Sequence, residues 1–240
     1  MSDEIQRTLN LFHEPGSVVE LRLIGLKNNR FRPSNASGYF TDFDEAAELA
    51  TRYEAERHPE SICFTFNSIN PRLLARSPEL ITEHLSKTTS DNDVIRRRWL
   101  LVDFDPDRPS GVSSTDDELE AARCVAQQAR DWLIERHSFP EPIEAMSGNG
   151  WHLMFPIDLP NSPESKVMIE NNLQAIAAHI GDGDSGVSVD TSVSNASRVA
   201  KLYGTMARKG YEMPGMPHRR SQIVHVPDSL QISNHGGETR

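Results

Sequence analysis

Three short stretches hold side chains whose types and spacing could do chemistry. The first is Asp103-Phe104-Asp105, which closes the apolar run from Trp99 to Val102. In a strand, residues two apart project from the same face, so both carboxylates would leave it together. Paired carboxylates with a third acid nearby suit Mg²⁺ or Mn²⁺, which prefer oxygen ligands. The plain alternative is a strand-end turn, because the chain repeats the tripeptide at Asp42-Phe43-Asp44 and has further acid pairs at Asp91/Asp93 and Asp182/Asp184. Context separates the two copies. Asp42 and Asp44 lead into a helical pattern, where acids cap the helix and face its positive end. Asp103 follows four apolar residues, and a carboxylate there is costly without a cation or partner.

The second stretch is Ser147-Gly148-Asn149-Gly150-Trp151-His152. Two glycines let the backbone approach a ligand and expose its N–H groups. With the Ser147 hydroxyl and His152, the set could hold nucleotide phosphates. The competing reading is a hairpin turn, since Asn-Gly is the strongest hairpin dipeptide. The third stretch is Val187-Ser188-Val189-Asp190, followed by Arg198 and Lys201. A strand ending in Asp190 would add a third carboxylate, and Arg198 and Lys201 would neutralise phosphates as a planar fork and a point charge. Taken alone, these are also an ordinary strand-end acid and solvated bases.

Several elements must position these groups. Asp3 to Phe12 reads as a helix after Ser2, and a further helix follows a cap at Asp42 or Asp44. Thr115-Asp-Asp-Glu118 is a capping box with Leu119, Ala122, Ala126, Ala129 and Leu133 on one face. A fourth helix is expected from about Pro163 to Ile180. Strands are expected at Val18–Leu23, Ser61–Asn67, Trp99–Asp105, Ile143–Met146, Trp151–Ile157, Val187–Asp190, Val199–Tyr203 and Gln222–Val226. Asn70 to Asp93 reads as a short helix and a loop, and the end of the chain, 231–240, as a disordered tail. Mixed elements with a central hairpin, no repeat and no glycine-fingerprint βαβ series point to an α+β fold.

The chain has 240 residues, 37% of them hydrophobic, and a net charge of -10. That charge argues against coating DNA by bulk electrostatics. Bases instead cluster locally, at Arg96-Arg97-Arg98 and at Arg198, Lys201, Arg208, Lys209, Arg219 and Arg220. No apolar run approaches the roughly 18 residues of a membrane span. The N-terminal stretch Met1 to Asn10 is neither a signal nor a transit peptide, so a cytoplasmic location is expected. Cys63 and Cys124 are the only cysteines, so no cysteine-based zinc site is evident.

In order and spacing, the three stretches resemble the archaeo-eukaryotic primase superfamily, in the form found in plasmids, phages and mobile elements. The basic stretch Arg198-Val-Ala-Lys201-Leu-Tyr-Gly204-Thr205 and the loop from Asp105 to Asp117 are similar to stretches of that family. The resemblance is specific between about Trp99 and Lys209. It implies a single primase-polymerase catalytic domain over 1–230, with two subdomains meeting near residue 95. An α/β N-terminal part would pack against an RRM-like sheet, with the site between them. It further implies two Mg²⁺ or Mn²⁺ ions held by Asp103, Asp105 and Asp190. Ser147 to Gly150, His152, Arg198 and Lys201 would contact a nucleoside triphosphate. The partners it implies are a single-stranded DNA template and a replicative helicase in cis or in trans. Arg96, Arg97, Arg98, Arg208, Lys209, Arg219 and Arg220 are candidates for the template backbone. Many relatives carry a base where this chain has Asn149, so triphosphate binding would rest more on Arg198, Lys201 and backbone N–H groups. A metal-dependent nuclease and a non-catalytic nucleotide- or origin-binding module remain the rival readings.

Overall fold

A computed structural model describes residues 2–26, 34–181 and 185–233. The acid pair Asp182/Asp184 and the tail from Asn234 onward lie outside the described residues. Along the chain come α1 (Ser2–Phe12), β1 (Val19–Leu26), β2 (Ser34–Phe40), α2 (Phe43–Arg57), β3 (Ser61–Thr65), β4 (Ser68–Ile69) and β5 (Thr82–Glu83). Then follow β6 (Val94–Pro106), α3 (Asp116–His137), β7 (Ile143–Met146), β8 (Trp151–Pro160), α4 (Pro163–Ile180) and β9 (Val187–Val189). The remainder is β10 (Val199–Lys201), β11 (Met206–Ala207), β12 (Arg219–Arg220) and β13 (Gln222–His225). The protein is a mixed α+β structure. Among the described residues no helix is long and apolar enough to cross a membrane.

Local chemistry sets the helix starts. Asp42 Oδ1 accepts from the N–H groups of Asp44 and Glu45 at 2.9 and 3.1 Å, so the first Asp-Phe-Asp copy is a helix cap. Thr115 and Glu118 cap each other's backbone at the head of α3, at 2.7 and 3.1 Å. Such caps satisfy N–H groups that the first helical turn leaves without partners.

Two large sheets and a two-stranded ribbon, β11-β12, are built from these strands. The first has the order β10-β3-β1-β2-β5; the second runs β13-β7-β8-β6-β4, with β9 also on β6. Residues 94–189 thus form a βαββαβ unit whose strands lie β9-β6-β8-β7, all antiparallel. This is the split βαβ arrangement. The chain crosses between sheets: β4 joins the second and β10 returns to the first.

β6 organises the interior through strand alternation. Leu100, Val102 and Phe104 point to the cluster formed with α3 and α4, around Ala126, Leu133 and Leu173. Trp99 and Leu101 point the other way, into the core shared with α1, α2 and the first sheet, around Leu9, Phe40 and Phe64. Asp103 and Asp105 continue that second face. They stand where it leaves the core.

β2, the strand Ser34-Asn-Ala-Ser-Gly-Tyr-Phe40, was not expected, because its small and turn-forming residues hide the strand. Gly38 is needed there: a Cβ would lie 2.1 Å from the carbonyl oxygen of Leu80. The strand expected over Val199–Tyr203 ends at Lys201.

Candidate functional site

Three neighbouring strands bring the predicted residues into one row. His152 on β8 is the cross-strand partner of Asp103 on β6. On the other side of β6, the N–H of Asp190 donates to the carbonyl of Asp103 at 2.9 Å. Since Val189 is buried with Phe104, the alternation puts Asp190 on the face that carries Asp103 and Asp105. Asp190, distant in sequence, therefore shares one side of the sheet with Asp103 and Asp105, beside the glycine turn.

Their partners differ. Asp103 Oδ1 lies 3.2 Å from His152 Nε2, and His152 Nδ1 lies 2.7 Å from the Tyr203 hydroxyl. Asp105 Oδ1 accepts from Arg108 Nη2 at 3.2 Å. Asp190 is fully engaged: Oδ2 with Arg198 Nη2 at 2.7 Å, and Oδ1 with the N–H and hydroxyl of Ser192 at 2.9 and 2.6 Å. Burial pushes the Asp103 carboxyl up, but His152, Arg198 and Arg108 together hold it below its usual range. Burial and then the charge of Asp103 push Asp105 above the usual range. Such a pair gains from a cation between its members. Among the described residues, no three His, Cys, Asp or Glu side chains already surround a common point, in keeping with Asp190 being held by Arg198.

The glycine turn is both a hairpin and a wall of the site. Ser147 and Gly150 close it, through Ser147 N–H to the Gly150 carbonyl at 3.0 Å and Gly150 N–H to Ser147 Oγ at 3.1 Å. Gly148 N–H turns toward Met146 Sδ. The expected cradle of free backbone N–H groups at Ser147, Gly148 and Gly150 is therefore corrected: those donors are used inside the turn. The glycines serve close approach instead. A Cβ on Gly150 would sit 2.4 Å from the Phe104 carbonyl oxygen and 3.1 Å from Asp105 Oδ1. Asn149 is buried and accepts from Ser114 N–H at 3.0 Å, tying the turn to the head of α3.

A cleft of about 310 Å³ opens over this row, lined by residues of both sheets, a volume within the range of small-molecule sites. Asp103, Asp105, Ser147, Asn149 and His152 form one wall; Cys63, Val199 and Lys201 belong to another. No protein-family model matches the chain, and no curated protein matches it significantly. What the cleft does must be read from its own chemistry, which is acidic along β6 and basic around it.

The bases divide sharply. Arg198, Lys201 and Lys209 line the cleft. Lys201 is buried, donates to the Met206 carbonyl at 2.7 Å and to Ser61 Oγ at 3.3 Å, and burial lowers it to about 8. Arg108 also lines the cleft. It was passed over because a base in a Pro- and Ser-rich loop reads as solvated. Its side chain is only 7% exposed, Nη1 donates to the Val112 carbonyl at 2.8 Å, and its buried Nε has no hydrogen-bond partner among the described residues. The tripeptide Asp105-Pro-Asp, returning Arg108 to the first acid by an i,i+3 pair, was the available signal.

Other expected nucleic-acid contacts are not displayed as such. Arg97 is a correction: it is 3% exposed and donates to the Ser194 carbonyl at 2.7 Å, because the register of β6 on β8 shifts between Arg97 and Trp99 and turns it inward on the side of α4. Arg96 and Arg98 both pair with Asp158, at 2.6 and 2.9 Å. Arg220 pairs with the buried Glu54 at 2.8 Å, with Arg208 4.0 Å from the same carboxylate. Arg219 bridges to Asp116 at 2.6 Å and to the Ser114 carbonyl at 2.8 Å. Lys209 alone of the seven is exposed and has no ion pair among the described residues.

Proposed function

We propose that the chain is a template-directed nucleotidyltransferase, a primase-polymerase that joins nucleoside triphosphates on a single-stranded DNA template. One observation carries the reading: Asp103 and Asp105 leave β6 on one face between His152 on β8 and Asp190 after β9, and Arg108, Arg198, Lys201 and Lys209 line the cleft that holds the two β6 acids. Acids for divalent cations beside bases for phosphates are what nucleotide transfer requires. The β9-β6-β8-β7 order under α3 and α4 is also the order of the RRM-like sheet that the resemblance implies.

Asp103 and Asp105 would hold two Mg²⁺ or Mn²⁺ ions, with Asp190 as third ligand. When bound, these ions would lower the pKa of a 3′-hydroxyl and offset charge on the departing pyrophosphate. The protein's own part is positioning. Arg108 faces the phosphates, and Arg198 changes partner from Asp190 to a phosphate, which frees Asp190. His152 stays fixed between Tyr203 and Asp103 and keeps that carboxylate ionised.

The test is incorporation of labelled nucleotides on single-stranded DNA, without and with a primer. Asp103→Ala with Asp105→Ala should abolish incorporation and leave the melting temperature near that of the parent. Full synthesis by the double variant excludes the assignment. A metal-dependent nuclease would use the same acids; the same assay separates them, because strands would shorten rather than lengthen.

A further inference from the structure

The segment between β11 and β12 leaves the body of the protein at the edge of the cleft and returns to it. Ala207 and Lys209 line the cleft. The Lys209 carbonyl accepts from Ser113 Oγ at 3.2 Å. Gly210, at φ +67°, runs so close to Gly111 that a Cβ would lie 1.9 Å from that carbonyl oxygen. The tip reverses at Pro214-Gly215, where the Met213 and Met216 backbones bond to each other and Gly215 takes φ +80°, a geometry that favours glycine.

Between the clamp and the tip stands Tyr211, 90% exposed; no other aromatic is among the exposed large hydrophobic residues of the described chain. Met213 beside it is 43% exposed. Residues 208–220 hold Arg208, Lys209, Arg219 and Arg220 against the single acid Glu212. An exposed ring beside an unpaired cation, in a basic segment clamped to a cleft, matches the needs of one class of ligand. Unpaired nucleic-acid strands are held by aromatic rings that stack on bases and cations that follow the backbone.

We propose that this segment is a platform for a single-stranded nucleic acid, with Tyr211 stacking on a base and Lys209 drawing the adjacent phosphate toward the cleft. The proposal rests on the functional reading above, and supplies the strand contact that Arg96, Arg97 and Arg98 do not.

Fluorescence anisotropy of a labelled oligothymidine of roughly 20 nucleotides, longer than one binding site, tests it with the full chain, free of nucleotide and divalent cation. Tyr211→Ala should weaken binding about tenfold, and Tyr211→Phe should bind nearly as the parent does. Lys209→Gln should flatten the salt slope by about 0.7, one phosphate contact on a single strand. Equal affinities of Tyr211→Ala and the parent overturn the platform, as does a parent that does not bind the oligonucleotide. Self-association that Tyr211→Ala abolishes while leaving oligonucleotide affinity unchanged also overturns it, in favour of a protein contact. Asp103→Asn with Asp105→Asn, run alongside, separates the two ideas. If that variant still incorporates nucleotides, the catalytic reading falls and the Tyr211 result stands. If it binds the strand but incorporates nothing, while Tyr211→Ala binds normally, only the platform falls.

Discussion

The hydroxyl of Tyr203 lies 2.7 Å from Nδ1 of His152, and Tyr203 is wholly buried. Burial, then the charges of Asp103 and Cys63, push the phenol well above its ordinary pKa, so it stays a neutral hydroxyl. Asp103 is an acceptor at His152 Nε2, which places a proton on that nitrogen. A neutral imidazole then accepts from Tyr203 at Nδ1. Tyr203 thus fixes the tautomer that points a donor at Asp103. Tyr203→Phe should lower nucleotide incorporation about tenfold and move the acid limb of its pH profile, with a stability cost of about 1 kcal/mol for the unpaired nitrogen. Kinetics across pH and denaturant unfolding of the two proteins measure both. An unchanged pH profile would leave Tyr203 a packing residue only.

Much of this arrangement was legible because it depends on local signals. The Thr115–Glu118 capping box, the Ser162-Pro163 start of α4 and the alternation along β6 are short-range patterns. The alternation alone sends Asp103 and Asp105 to one face. What was not legible depends on distant contacts. Nothing near Gly38 reveals that Leu80 will cross it. Nothing near Arg220 reveals Glu54, 166 positions earlier by their residue numbers. Basic residues therefore looked equivalent in sequence, although folding buries Arg97, pairs Arg96 and Arg98 with Asp158, and leaves Lys209 open.

Gly150 sets the spacing between the hairpin and β6. A methyl group there meets backbone at 2.4 Å, and β6, held by β8 and β9 on its two edges, cannot yield without moving Asp105. Gly150→Ala should cost about 1–3 kcal/mol of stability, as overpacked sites do, and reduce incorporation by about a hundredfold or more, in proportion to a displacement near 1 Å. Unfolding curves and steady-state rates check this. Parental rates in a destabilised Gly150→Ala protein would separate the turn from the chemistry.

Lys201 makes a prediction about stability and pH. Its folded pKa is about 8 against an ordinary 10.5, because burial penalises the ammonium. Between those values the unfolded chain holds a proton that the folded chain has shed, so stability rises with pH across that window. At 1.36 kcal/mol per pH unit, the span of 2.5 units corresponds to about 3 kcal/mol. Lys201→Met lacks this titration. Urea unfolding of both proteins from pH 7 to 10.5 should show the parent gaining about 3 kcal/mol relative to the variant. A constant difference would mean that Lys201 is solvated and titrates normally.

Asp190 and Arg198 make the sharpest prediction about the site. In the structure they hold each other at 2.7 Å, and the second oxygen of Asp190 caps the turn Thr191–Ser194. If Asp190 becomes a cation ligand only when Arg198 leaves for a phosphate, the two substitutions must act oppositely on the metal. Arg198→Gln should tighten Mn²⁺ binding, since the competing cation is gone, while raising the KM for nucleotide by about tenfold or more, the loss of one charged hydrogen bond to phosphate. Asp190→Asn should weaken Mn²⁺ binding and lower kcat, with Arg198 still present to bind nucleotide. Mn²⁺ titration by electron paramagnetic resonance, beside kcat and KM for each variant, reads all four quantities. Equal Mn²⁺ affinity in the parent and in Asp190→Asn would reduce Asp190 to a holder of Arg198, leaving Asp103 and Asp105 as the whole of the protein's metal-binding chemistry.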